Sequence, residues 1–162
     1  MTNEMAYGYP VKDAKELGLD SYFKANPQVA GMAWGGGENG TDPKSDRVIV
    51  ANPYNEYMSD AKKRAGLLKI EAARHLMGEQ KYDPAFDIHP EQQEWRKTLG
   101  QYATNDTALK QSIISRILSG DDVPSVTKEQ KNEADKIDEM LSKRSKPMGA
   151  KEAVKNQLKD LK

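Results

Sequence analysis

Val29-Ala30-Gly31-Met32-Ala33-Trp34 and Arg47-Val48-Ile49-Val50-Ala51 flank a glycine-rich connection that contains Asn39-Gly40, and this stretch decides the fold. Both flanks are short, rich in β-branched, aromatic or small apolar residues, and long enough for strands rather than helices. Asn-Gly tolerates the positive φ angles that tight hairpin turns demand. The stretch therefore predicts an antiparallel hairpin. Asn52-Pro53-Tyr54-Asn55 closes its second strand, because proline offers no amide donor and restricts the residue before it.

Downstream the period changes from two to 3.6. A helix beginning near Ser59, a suitable N-cap, carries Ala61, Ala65, Leu68, Ala72 and Leu76 on one face, with Leu67, Ile70 and Met77 widening it, and should end at Gly78. Pro90 opens a short helix over 90–99 that presents Trp95 and Leu99. After Asn105 or Asp106 as cap, Leu109, Ile113, Ile114, Ile117 and Leu118 recur at helical spacing until Ser119-Gly120. The fold class is α+β, mainly α: a short antiparallel β-hairpin packed on two or three helices, forming a compact body at 29–119.

The two ends read as appendages. Residues 1–28 hold Val11, Ala14, Leu17 and Leu19, interrupted by Gly18 and the Asn26-Pro27 step, and predict an extended N-terminal arm. Asp121-Asp122-Val123-Pro124-Ser125 reads as a linker. Thr127 with Gln130 forms a capping-box signature, launching a helix whose apolar contacts are only Ala134, Ile137, Met140 and Leu141. After Ser145–Gly149 a last helix carries Ala150, Val154, Leu158 and Leu161. Residues 120–162 thus predict a helical C-terminal tail, and helices with so thin an apolar stripe gain stability from a partner. Tyr7, Tyr9, Tyr22, Phe23 and Trp34 gather aromatic area at the start of the chain. With Val154, Leu158 and Leu161 they form the candidate interface set.

Composition fits a protein of modest core. Apolar residues are 36% of the 162 and aromatics 7%, while Lys plus Arg and Asp plus Glu are each 25. Balanced charge separates this chain from wholly disordered ones. The absence of cysteine excludes disulfides and thiolate zinc sites. Met1–Pro10 has neither the basic start nor the apolar run of a signal peptide, and no window is apolar enough to span a bilayer, so a soluble product without membrane contact is expected.

Tests for chemistry assign no catalytic, cofactor-binding or metal residue. Gly35–Gly40 resembles a phosphate cradle, but Pro43 rather than glycine precedes Lys44-Ser45, and a strand-like segment follows instead of a helix. Glu71 and His75 share a helix face at metal-ligand spacing, yet His89 is the only other imidazole. No Gly-x-Ser-x-Gly elbow occurs. Carboxylates such as Glu38 and Asp42 leave a cell-wall glycan hydrolase as one alternative. Lys143, Arg144 and Lys146, extended by Lys151, Lys155, Lys159 and Lys162, leave a DNA-contacting packaged or ejected protein as another; the tail has no aromatic residues for base stacking.

Tyr22-Phe23, Pro27-Gln28-Val29-Ala30-Gly31-Met32-Ala33-Trp34-Gly35-Gly36-Gly37-Glu38-Asn39-Gly40, Val48-Ile49-Val50-Ala51-Asn52-Pro53-Tyr54 and Glu71-Ala72-Ala73-Arg74 resemble a family of small uncharacterised virion-associated proteins of tailed bacteriophages and prophages. The resemblance covers residues 22–80. It implies a non-enzymatic structural or assembly protein, a head, neck or tail accessory subunit that binds copies of itself as a homo-oligomer and a larger virion protein. It would be made in the bacterial host cytoplasm, reside in the virion and need no cofactor. No residue role carries over, because the pattern has no assigned activity.

Overall fold

The computed structural model describes residues 4–35 and 46–145. The expected hairpin is present: β3 (Gly31–Gly35) pairs antiparallel with β4 (Arg47–Ala51), with Met32 opposite Val50 and Trp34 opposite Val48. The fold is α+β and mainly α. Its helices are α1 (Asp20–Ala25), α2 (Ala61–Glu79), α3 (Pro90–Leu99), α4 (Asp106–Ser119) and α5 (Lys128–Ser145), with 3-10 turns at Glu56–Ser59 and Gly100–Ala103. Glycine-rich residues 36–40, with Glu38 and Asp42, lie outside the described residues.

Local chemistry sets the helix ends. Asp60, one residue beyond the expected Ser59, caps α2 by accepting the Lys62 and Lys63 amides. Asn105 accepts the Ala108 amide at the start of α4, and Gly120 ends that helix at φ 83. The Gly120 and Asp121 amides then return to the Ile117 and Arg116 carbonyls, which satisfies backbone groups that the helix end would otherwise leave open. His89 caps α3 through Nδ1, a role that histidine seldom signals in a sequence.

The N-terminal segment is not an extended arm. Residues 4–12 form β1 (Met5–Ala6) and β2 (Tyr9–Lys12), and the sheet has the order β1-β2-β4-β3. β2 lies parallel to β4, with Val11 opposite Ile49. The β1–β2 turn places both Tyr7 (φ 53) and Gly8 (φ 83) at positive φ, the primed geometry that matches strand twist. Arg64 on α2 clamps Glu4 through both carboxylate oxygens. Farther on, Ala14 and Phe23 seal Val50 on the outer face of the sheet. The physical reason is period-two burial: Ala6, Tyr9 and Val11 fill the inner core, and only a sheet offers them that face.

Nor do residues 121–145 stand apart. α5 packs on α4 and α2, and Ala134, Ile137 and Leu141 are fully buried. The expected capping box at Thr127 and Gln130 forms in both directions. Gln130 does more, because it is buried and exchanges two hydrogen bonds, at 2.7 and 2.8 Å, with the equally buried Gln92 of α3. Gln92 also accepts the His89 amide and donates to the Pro124 carbonyl, while Gln130 donates to the Asp87 carbonyl. The linker is therefore held at both flanks. Tyr82 adds a 2.7 Å bond to Glu133, and Lys69 pairs with Asp138.

Two expectations follow. Ile137→Ala should destabilise the whole protein by about 2–5 kcal/mol, the usual cost of emptying a buried aliphatic site, and Gln92→Ala by about 1–3 kcal/mol, because Gln130 loses both hydrogen bonds to it. Urea titration followed by circular dichroism gives both values. A melt of either variant that matched the wild type would show that α5 is a separable tail.

Candidate functional site

The sheet register sorts the predicted interface residues. Ile49 faces the helices, so Val48, Val50, Met32 and Trp34 share the opposite face. Along it, Val50 is sealed by Phe23, Met32 and Val48 are half-buried, and Trp34 is 45% exposed. Tyr22 on α1 is exposed too. Tyr54, which follows the proline that closes the second strand, is a third exposed ring; its hydroxyl donates to Asp20 at 2.8 Å and ties the β4 exit to α1. Tyr9 and Phe23 are 1% and 0% exposed and belong to the core, so they leave the interface set. Tyr7 is half-buried against the same core, with Lys69 Nζ 5.9 Å from its ring centre. Val154, Leu158 and Leu161 lie outside the described residues.

Behind the sheet α2 carries a buried polar layer. His75 Nε2 donates to the Val48 carbonyl at 2.6 Å, and Nδ1 accepts from Arg47 at 3.3 Å. This pair of partners fixes the neutral tautomer with the proton on Nε2. Burial, with Arg47 and Arg144 adding to it, lowers the imidazole pKa below its ordinary 6.5. The Tyr9 ring lies 5.0 Å from His75, and the Arg144 guanidinium stacks over that tyrosine at 3.8 Å while approaching Glu79 at 3.7 Å. Arg47 meets the other Glu79 oxygen at 3.5 Å. One member of the basic cluster considered for DNA, Arg144, is thus engaged within the fold, and Lys143 pairs with Glu139.

Glu71, one turn before His75, is also buried. The Asn52 amide donates to the Ala30 carbonyl, so the hydrogen-bonding groups of Met32 and Trp34 point to β4 and those of Ala33 point to the other edge of β3, which pairs with no strand among the described residues. There the Glu71 carboxyl takes the Ala33 backbone bond, as a neighbouring strand would. Its Oε2 has no hydrogen-bond partner among the described residues. Burial raises this acid above its ordinary 4.5, against the opposing pull of Arg74 and Arg116. Glu71 and His75 therefore serve different neighbours and do not converge, and no group of three or more potential metal ligands occurs among the described residues.

Two cavities flank this layer. One, of about 570 Å3, opens beside Arg47, His75 and Lys81. The other is a groove of about 670 Å3 between residues 28–31, α2 and the end of α4, with Glu71 in its wall.

The buried acid and base have opposite pH signatures. A histidine with a lowered folded pKa contributes stability that is present above 6.5 and is lost as pH falls below it. An acid with a raised folded pKa costs stability as pH rises from 4.5 through its folded value. The stability advantage of wild type over His75→Gln should therefore shrink below about pH 6.5, and Glu71→Gln should gain on wild type as pH rises. Thermal melts of both variants across that range check the two signs, and parallel pH profiles for all three proteins would contradict them.

No protein family, curated protein or solved structure matches this chain.

Proposed function

We propose that this protein is a non-enzymatic structural or assembly subunit that works through protein–protein contacts, binding copies of itself and a larger virion protein in the head, neck or tail of a tailed phage. The observation that carries the contact reading is the exposed end of the outer sheet face, where Trp34 continues the apolar row of Val50, Met32 and Val48 into solvent. An indole left open beside half-buried apolar groups loses its water only when another surface covers it, and large aromatics dominate the energetics of such contacts. Tyr22 and Tyr54 offer further amphipathic rings around α1.

The virion assignment rests on the sequence resemblance over 22–80, which includes Trp34 and Tyr54. A site in the virion, after synthesis in the host cytoplasm, belongs to the same proposal. No helix among the described residues is long and apolar enough to cross a membrane. Because residues 4–28 are built into the core, association on this reading occurs between preformed faces and leaves that segment in place.

Sedimentation tests it. The wild-type chain should self-associate, and Trp34→Ser should weaken association by about 2 kcal/mol or more, roughly thirtyfold in Kd. The monomer melt should stay within about 0.5 kcal/mol, as for a surface change. Unchanged association by both Trp34→Ser and Tyr22→Ser would remove this face as the contact.

A further inference from the structure

The groove beside Glu71 has a chemistry that the contact reading does not use. Its walls combine the apolar side chains of Val29, Leu67 and Ile70 with four cations, Lys62, Lys63, Arg74 and Arg116. A space of this size, lined by apolar groups with a few convergent polar ones, suits a small ligand or a few residues of a peptide. Asp60, Glu71 and Asp121 also line it. Asp60 is held by the amides that it caps, and Asp121 by Arg116 at 3.0 Å. Glu71 is 96% buried by its 4% exposure, with an oxygen that no protein group satisfies, a setting that favours the uncharged acid. Four cations and three carboxyl groups thus line the groove between its apolar walls, and burial disfavours the ionised form of one of those acids, Glu71.

We propose that this groove binds a carboxylate carried on an apolar body, with Arg74 and Arg116 beside the anion and Leu67 and Ile70 against the body. Guanidinium groups suit carboxylates because their planar donors match the two oxygens. A buried acid that ionised next to them would compete with the ligand for the same field. The affinity should consequently fall as pH rises through the titration of Glu71, while Glu71→Gln, which keeps the shape and cannot ionise, should bind with little dependence on pH.

Calorimetric titration of the full chain at low salt tests the proposal independently of self-association. Octanoate is the probe and octylamine the charge-reversed control. Octanoate should bind saturably and octylamine should not. Arg116→Gln and Ile70→Glu should each weaken octanoate by about tenfold or more, and Lys128→Gln, on the exposed start of α5, should not. Circular dichroism melts of each variant separate lost binding from lost folding, and Lys63→Gln supplies a second charge test if Arg116→Gln unfolds. A tripeptide ending in Leu with a free carboxylate, compared with its amide, identifies the source. Tighter binding of the free-acid peptide points to a partner chain and tighter binding of octanoate to a free amphiphile, and either ranking supports the site. Absence of saturable octanoate binding, equal binding of octylamine, or a pH dependence unchanged in Glu71→Gln would overturn it.

Discussion

Two buried glutamines, Gln92 and Gln130, hold each other face to face, and the position of much of the chain depends on them. Each sits at the third position of a helix and returns a bond to the residue that caps it. Each then spends its remaining groups on the other and on backbone carbonyls at 87 and 124. A primary amide buried without partners is costly, so this arrangement is favourable only when α3, α5 and both connecting segments stand in one relative position. Once α5 is fixed at its start, Ala134, Ile137 and Leu141 fall against α4 and α2. Its far end, Arg144, then reaches Tyr9, Glu79 and the Gly8 turn, across 136 positions of sequence.

α2 supplies the second organising constraint. It faces the sheet with two ionisable side chains whose charged forms the fold disfavours for different reasons. His75 is neutral because one nitrogen must donate to Val48 and the other must accept from Arg47. Glu71 is buried at the free edge of β3, where its acceptor replaces a missing strand. An open edge invites pairing with other chains, and a carboxyl set against it blocks that route. The proposed contact face at Trp34 and the proposed ligand groove at Glu71 are spatially separate: one lies on the face opposite the helices, the other between the approach to β3, α2 and the end of α4.

The pattern of exposed aromatics follows from how the sheet is covered. The inner face packs on α2, with α4 and α5 joining the same core behind it. Among the described residues the outer face is covered by α1, six residues long, and the segments on either side of it. That small lid seals Val50 and leaves Trp34 in solvent. Aromatic area thus stays in solvent while the main core is covered.

Elements governed by nearest neighbours were legible in the sequence. The β3–β4 hairpin, α2, α3 and α4 with their ends at Pro90, Asn105 and Gly120, and the Thr127–Gln130 capping box all rest on local periodicity and capping, and the structure has them. β1 and β2 were not legible. A two-residue strand, a Tyr7-Gly8 turn without the usual asparagine, and Pro10 in the ladder give little local signal, and the pairing of β2 is with β4, nearly forty residues away. For the same reason Tyr9 and Phe23 read as surface anchors. An aromatic residue has the same side chain whether it meets solvent or a strand distant in sequence. The thin stripe of α5 read as a tail because stripe width reports how many sides of a helix are covered, whereas burial depends on what covers them. The sequence by itself determined the β3–β4 hairpin and the helices α2 to α5, since capping, turn and periodicity act over a few residues. Only the tertiary structure decided which apolar groups are hidden, that the charged forms of Glu71 and His75 are disfavoured, and that residues 8 and 144 meet, because burial and dielectric are set by packing between elements far apart in the chain.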